Sequence, residues 1–317
     1  MRILRHPPDI QTDLRGGWIA VGNFDGVHRG HQAVIGAARA AGRAAGVPAG
    51  VLTFEPHPRA VFDPALPPFR LTPWRIKARA IEALGLDFLV IQHFDRDFAA
   101  HSAREFVEWL LVGRIGAAGV VVGSDFVFGR GREGDVGLLE RLGAEHGVAV
   151  RVQPPVASAD GLVYSSTRVR DALTSGDPRE AARVLGRHWE IEGRVETGDA
   201  RGRTIGFPTA NIRIHEFLHP ATGVYAVRAG IDAGEATTWH DGVANFGRRP
   251  TFGLPEPLLE VHLFDYSGDL YGRHLRVALV DYLRPERRFA GLAELQEQIG
   301  RDSAAARKAL AQQTIEG

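Results

Sequence analysis

The densest chemistry in the chain is the segment Gly22-Asn-Phe-Asp-Gly-Val-His-Arg-Gly-His31. His28 and His31 are three residues apart, so one helical turn places both imidazoles on the same side. A helix N-terminus offers free N–H groups and a partial positive charge, and the glycines let backbone approach a ligand closely. Two imidazoles in that setting can grip a triphosphate. They can donate hydrogen bonds to a pentavalent phosphorus without forming a covalent bond to it. Ser165-Ser-Thr-Arg-Val-Arg170 is a second anion site of the same kind, with hydroxyls at a helix start and arginines one turn in. Taken alone, it reads equally well as a plain N-cap.

A third segment, Gly198-Asp-Ala-Arg-Gly-Arg-Thr-Ile-Gly-Phe-Pro-Thr-Ala-Asn211, runs from a Gly/Arg loop into a strand. Period two puts Thr209 and Asn211 on one face. A hydroxyl and an amide carbonyl are hard oxygen ligands suited to Mg²⁺ on nucleotide phosphates. Further on, Glu260 is a lone carboxylate in the apolar strand Leu258-Leu-Glu-Val-His262. Facing inward, it would have the raised pKa that a general base requires. In an alternating strand it reads almost as well as a solvent-facing residue.

The elements that position these residues follow from hydrophobic pattern. Apolar runs at Trp18–Val21, Val51–Phe54, Phe88–Gln92, Val120–Gly123 and Val148–Val152 alternate with helical spacing at Gly30–Ala45, Pro73–Leu84, Ala103–Val112 and Val136–His146. That alternation predicts a doubly wound parallel sheet covered on both faces, with the histidine segment at the carboxyl end of its first strand, where ligands bind. A short helix over Thr167–Leu173, capped by Ser166, continues into Pro178–Leu185. From Trp189 the runs alternate with period two, at Trp189–Glu196, Val224–Gly230, Thr238–Asn245, Leu258–Phe264 and Leu275–Leu283. Short strands without helices between them predict an antiparallel barrel or sandwich. Helical spacing returns over Leu292–Gln312. The expected domains are 1–186 and 187–317.

Composition bounds the function. The 317 residues carry 38 basic and 38 acidic side chains, which argues against a protein held to nucleic acid by phosphate neutralisation. The absence of cysteine excludes disulfides, thiolate nucleophiles and Cys-type zinc sites. Met1–Pro8 has no apolar signal region, and no run approaches a membrane span. The expectation is a cytoplasmic protein with small-molecule substrates, no nucleic-acid or membrane partner, and room for a weak homo-oligomer.

Gly22–His31 together with Ser165–Arg170 resembles the HxGH nucleotidyltransferase superfamily. Its wording is most similar to the bacterial bifunctional riboflavin kinase/FMN adenylyltransferases, also called FAD synthetases. Thr53–Pro58 and Gly123–Arg130 are further stretches like that family. Gly206-Phe-Pro-Thr-Ala-Asn211 resembles the riboflavin kinase signature, and Val243–Phe252, Leu259–His262, Asp269–Gly272 and Leu283–Phe289 follow in family order. The resemblance implies a six-stranded Greek-key barrel with a C-terminal helix. It also implies ATP as co-substrate, riboflavin, FMN and FAD as substrates and products, and Mg²⁺ as cofactor.

Carried over residue by residue, the resemblance makes His28, His31, Arg170 and Glu260 catalytic. Gly22, Asn23, Phe24, Asp25, Gly30, Ser166 and Thr167 would bind ATP for adenylyl transfer, and Asp125, Phe126 and Phe128 the flavin. In the kinase, Gly198, Arg201, Gly202, Arg203, Gly206 and Pro208 would bind ATP, Asn245, Arg284 and Phe289 the flavin, and Thr209 and Asn211 the metal. Two positions depart from the family pattern: Arg248, where threonine is usual, and Ala200, where a basic residue is common. Three competing classes are a relative with one silent module, a non-catalytic flavin carrier, and an RNA-modifying relative. The intact histidine pair counts against the first and the zero net charge against the last.

Two motifs are decoys. His215-Glu-Phe-Leu-His219 matches the zinc-protease pattern, but a strand-like run precedes it and Pro220 ends it, so it is expected to be a barrel loop. Gly129-Arg-Gly-Arg-Glu-Gly134 matches a dinucleotide fingerprint but follows a late strand. Neither lysine, Lys77 or Lys308, follows a glycine, which excludes a Walker A loop.

Overall fold

A computed structural model describes residues 1–196, 207–249 and 256–312. The chain forms two compact units. The first comprises Met1–Pro67 and Thr72–Ser165, and the second Pro68–Leu71 and Ser166–Gly317.

The first unit is built on a parallel sheet. Its strands are β1 (Arg2–Arg5), β2 (Trp18–Val21), β3 (Ala49–Glu55), β4 (Phe88–His93), β5 (Gly119–Gly123) and β6 (Ala149–Gln153), in the order β1-β4-β3-β2-β5-β6. Alternate residues of the central strands enter two separate cores, which is why those strands are apolar throughout. Ile19, Val21, Leu52, Val90, Val120 and Val122 belong to one core. Ala20, Val51, Leu89, Ile91 and Val121 belong to the other. Helix α1 (Arg29–Ala45) packs in the second core through Val34, Ile35 and Ala38, and ends on the left-handed Gly46.

Two features depart from the sequence reading. The edge strand β1 pairs in parallel with β4, although its Arg-Ile-Leu-Arg pattern is mostly exposed and too short to show a period. The helix expected over Ala103–Val112 begins with a Ser102/Glu105 capping box but runs on as a π-helix over Phe106–Ile115.

The second unit is an antiparallel six-stranded barrel, nearly closed. Its strands are β7 (Trp189–Arg194), β8 (Ala210–Arg213), β9 (Gly223–Ile231), β10 (His240–Arg249), β11 (Glu256–Leu263) and β12 (His274–Arg284), in the order β7-β12-β9-β10-β11-β8. A bridge between Glu196 and Asn211 joins the two ends of the sheet. Ile191, Ile212, Val227, Phe246, Leu259, Val261, Leu275 and Val277 are fully buried, and successive strands supply them at alternate positions. The C-terminal helix, α9 (Leu292–Ala311), covers part of the outer face, where Ala306, Ala309 and Leu310 pack on Val224, Ala226, Val243 and Val280. A bidentate pair anchors it, with Arg284 Nε and Nη2 donating to Asp302 at 2.8 and 2.7 Å.

Helices α7 (Ser166–Thr174) and α8 (Pro178–Leu185) pack with the barrel unit, as does the strap Pro68–Leu71. Trp189 Nε1 donates to Leu71 O at 2.8 Å, Leu218 N donates to Arg70 O at 2.8 Å, and Ala221 N donates to Leu173 O at 2.9 Å. By packing, therefore, the chain divides before Ser166, while the change of pattern in the sequence falls near residue 186. Helix α7 starts at Ser166 itself, one residue earlier than expected, so Ser166 is its first residue and not its cap.

Candidate functional site

In the first unit β2 lies between β3 and β5, so the chain winds outward from it in both directions. The carboxyl ends of β2 and β5 are the switch point of such a sheet, where a crevice forms. The loop Gly22–Val27 leaves β2 there, and Ser124–Phe128 leaves β5 beside it.

The β2 loop is strained and held from below. Phe24 and Val27 both take left-handed φ angles, 47° and 45°. Asp25 is only 2% exposed, and its Oδ1 accepts from Thr72 N at 3.0 Å and from Thr72 Oγ1 at 3.3 Å. Gly26 N donates to Thr72 Oγ1 at 2.8 Å, and Thr53 Oγ1 donates to Asn23 O at 3.1 Å. Beneath Thr53, the fully buried Lys77 Nζ donates to Glu55 Oε1 at 3.0 Å. Residues under such strain persist where surrounding bonds over-determine them. Asp25 thus shapes the loop, and Asn23 is the exposed residue of the pair.

His28 caps α1. Its Nδ1 accepts the backbone N–H of His31 at 3.3 Å. A nitrogen that accepts carries no proton, so in the neutral ring Nε2 is the donor. The two imidazoles stack with centroids 3.6 Å apart, and Phe24 meets His31 edge-on at 5.3 Å. A Cβ at Gly30 would lie 3.0 Å from His28 Cε1 and 3.1 Å from Tyr164 O, so the glycine makes room for the first histidine.

After β5, Asp125 is exposed, Phe126 is half-buried, and Phe128 is buried against Phe106 with centroids 5.2 Å apart. Phe128 is therefore part of the core, and Phe126 stacks on it at 5.5 Å. The fingerprint-like Gly129–Gly134 closes a turn, with Phe128 bridged to Gly134, and Asp135 after it caps the helix Val136–Glu145.

In the second unit, α7 presents Ser166 and Thr167 in its first turn. Arg170 Nε donates to Phe69 O at 2.9 Å, and the guanidinium lies 5.7 Å from the Phe69 ring centre. On the barrel, register puts Asn245, Glu260 and Asn211 directly opposite one another across β10, β11 and β8. Residues so paired share a face. Leu259 and Val261 point into the barrel, so the expectation of an inward-facing Glu260 is corrected: it lies on the outer face, half-buried between two amides. The reason is the strict alternation of β11, which gives the interior to the apolar neighbours.

Asn211 is 7% exposed, and its Oδ1 is buried with no hydrogen-bond partner among the described residues. An orphaned buried acceptor costs roughly 1–3 kcal/mol unless a ligand satisfies it. Thr209 precedes β8 by one residue and borders a cleft with Pro208, Val261, Leu263, Tyr266 and Asp269. Asn245 Nδ2 donates to Glu286 Oε1 at 3.2 Å. Arg284 is committed to Asp302, with Phe289 5.9 Å from its guanidinium.

Gly198, Ala200, Arg201, Gly202, Arg203 and Gly206 lie outside the described residues, as does the side chain of Arg248. His215 and Glu216 are exposed in a loop, so the zinc-protease-like motif lacks its helix. The sequence reading missed Thr72, Tyr164 and Lys77. Of these only Lys77 left a signal, as one of two lysines in the chain, set inside a helical pattern.

Residues 10–168 match the family described as FAD synthetase, and residues 185–310 match riboflavin kinase. A bifunctional riboflavin kinase/FMN adenylyltransferase of Escherichia coli K12 is 43% identical over 309 residues, 97% of each chain. The chain belongs to the bifunctional riboflavin kinase/FMN adenylyltransferase family. A Bacillus subtilis member is 38% identical over 94% of each chain. Among solved structures, a Streptococcus pneumoniae chain described as a macrolide-efflux protein matches with a TM-score of 0.85 and 30% identity, over 97% of this chain and 99% of that one. Among the described residues, no helix of this family member is long and apolar enough to cross a membrane.

Proposed function

We propose that the two activities of the family use two sites with unlike chemistry, one built on His28 and His31 and one on Asn211 and Glu260. As a member of that family, the protein phosphorylates riboflavin to FMN with ATP. It then adenylylates FMN to FAD and releases pyrophosphate. Activity is assigned along the sequence as 1–186 for adenylyl transfer and 187–317 for phosphorylation. A cytoplasmic location and small-molecule substrates go with this reading.

For adenylyl transfer, the FMN phosphate attacks the α-phosphorus of ATP. That phosphate is already ionised near neutral pH, so no base is required. Catalysis then falls to donors aimed at the charge that develops on the α-phosphoryl oxygens. His28 Nε2–H is such a donor at a helix N-terminus, and the ring is fixed because Nδ1 is occupied by the His31 N–H. This is the observation that carries the reading. His31 acts beside it, and Gly22, Asn23, Phe24 and Gly30 form the nucleotide loop. Ser166, Thr167 and Arg170 hold the departing phosphates. Asp125 and Phe126 contact the flavin, while Phe128 supports Phe126 from below.

For phosphorylation, Glu260 takes the proton of the ribityl 5′-hydroxyl, whose oxygen attacks the γ-phosphorus. Thr209 and Asn211 hold magnesium, which when bound neutralises charge on the phosphates of ATP. The orphaned Asn211 Oδ1 supports that role, since a hard cation is the partner this acceptor lacks. Asn245 lies opposite Glu260 on β10 and contacts the flavin.

Incubation of the full chain with riboflavin, ATP and magnesium tests both steps. FMN is expected first and FAD after it. FAD formed without transient FMN, or no turnover of either flavin, refutes the reading.

A further inference from the structure

The outer face of the barrel carries a second carboxylate beside the row Asn211, Glu260 and Asn245. Asn245 Nδ2 donates to Glu286 Oε1 at 3.2 Å. A carboxylate only accepts, so this contact turns the NH2 end of the amide to Glu286 and keeps Oδ1 as an acceptor for another partner. An amide that nothing holds offers either end, and the two ends bind opposite kinds of group. The contact thus selects one of two orientations directly opposite Glu260.

Glu286 reaches Asn245 because the strand leaves room for it. Gly247 is two residues along β10 from Asn245, so both positions face outward. A Cβ at residue 247 would overlap Glu286 Oε1. The carboxylate therefore lies against the backbone of β10, over the one residue type that has no side chain to displace it.

The C-terminal helix holds that carboxylate in place. Helix α9 packs on Val243, the outward residue that precedes Asn245 on the same face of β10. Upstream of Glu286, the guanidinium of Arg284 donates to Asp302 at 2.8 and 2.7 Å. Asp302 is buried, and Gln298 Nε2 donates to its Oδ1 at 2.8 Å. Downstream, Arg287 Nη2 donates to Glu294 Oε1 at 2.7 Å, and Ala290 N donates to Glu294 Oε2 at 2.9 Å. The segment is pinned to one helix on both sides of Glu286. Glu286 itself is exposed, where water competes for its hydrogen bonds, so what its contact supplies is orientation more than stability.

We propose that Glu286 is a positioning residue for riboflavin phosphorylation: it fixes the Asn245 amide so that Oδ1 accepts a hydrogen bond from a hydroxyl of the ribityl chain beside Glu260. The inference rests on the assignment of Glu260 and Asn245 to the kinase site. It gives α9 a part in that reaction, because the helix holds Glu286 from both sides.

The test is steady-state riboflavin phosphorylation by the full chain, with FMN adenylylation measured on the same preparations to confirm folding. Glu286→Ala frees the amide and should raise the KM for riboflavin about tenfold, the size of one hydrogen bond, with kcat and the KM for ATP within about twofold of the parent. Glu286→Gln keeps an acceptor oxygen in the same place and should stay within about threefold of the parent KM. Asn245→Asp sets two carboxylates against each other and should also raise the riboflavin KM. Adding Glu286→Gln to it restores a donor facing an acceptor, leaves an oxygen for the substrate, and should recover most of the loss. The proposal is overturned if Glu286→Ala keeps the parent KM for riboflavin, if it raises the KM for both substrates alike, or if Glu286→Gln fails to improve Asn245→Asp. A fully active Glu260→Gln would overturn the site assignment and this proposal together, whereas the other outcomes overturn this proposal alone.

Discussion

Gly30→Ala separates geometry from stability at the histidine site. The added methyl would sit 3.0 Å from His28 Cε1 and 3.1 Å from both His28 Nδ1 and Tyr164 O. Comfortable carbon contacts are about 3.5–4.0 Å, so the ring must yield by roughly half an ångström. The bond from His31 N to His28 Nδ1 is already 3.3 Å long, and the same displacement breaks it. Freed, the ring loses its fixed tautomer and aim. A 1 Å misplacement costs about 10²-fold, so half of that costs about tenfold, or about 1.4 kcal/mol of barrier. Alanine is the better helix former, so the variant should fold at least as well as the parent. The assay follows pyrophosphate release from FMN and ATP, with riboflavin phosphorylation measured on the same preparation. The kcat for adenylyl transfer should fall about tenfold while the kinase rate holds. An unchanged adenylyl-transfer kcat would refute the argument, and so would an equal fall in both rates.

Four other outcomes follow from the same structure. His28→Ala should cut FAD formation by about 10²–10³-fold and leave FMN formation intact, as separate flavin-product time courses will show. Glu260→Gln should do the reverse, lowering riboflavin phosphorylation by about 10²–10⁴-fold with FMN adenylylation retained. Lys77→Met removes the cation from Glu55 beneath the β2 loop and should cost about 3 kcal/mol in urea unfolding, part of it recovered when Glu55→Gln is added. Burial holds the His188 imidazole below its ordinary pKa, and Arg228 adds in the same direction. The unfolded chain then takes up that proton first as pH falls below about 6.5, so stability drops there and is unaffected above; His188→Gln should flatten the decline between pH 7.5 and 5.5.

Much of this was legible in the sequence, for identifiable reasons. The central strands β2 to β5 are apolar over most of their length because both faces are covered, and short runs of that kind between helical stretches read as buried parallel strands. The histidine segment could be placed at a strand end because Gly22 and Gly30 bracket it and helical spacing starts at once. What stayed hidden depends on partners distant in sequence. Asp25 gives no sign in the sequence that Thr72, 47 residues on, donates two hydrogen bonds to it. Phe128 reads as a pocket residue until Phe106 is packed against it. Strand β1 has too few residues for any period, and it becomes a strand only because β4 has a free edge to pair with.

Glu260 shows most clearly where pattern reasoning stops. Alternation in β11 gives two faces but does not say which is the interior. Its neighbours decide: Leu259 and Val261 enter the barrel, and the pairing to Asn245 and Asn211 sets the carboxylate in a polar row outside. An interior carboxylate would have to lose its hydration without compensation, at a cost of several kcal/mol. On the outer face it stays partly hydrated and lies in register with an amide whose own oxygen has no hydrogen-bond partner among the described residues. A base and a cation ligand can therefore share one face without either being buried as an isolated charge. The same register makes Asn211 the sharper probe of the kinase site. Asn211→Leu should stabilise the resting fold by removing the orphaned oxygen, while riboflavin phosphorylation falls and the magnesium requirement rises. A leucine variant as active as the parent, at the same magnesium concentration, would show that the oxygen has no part in the reaction.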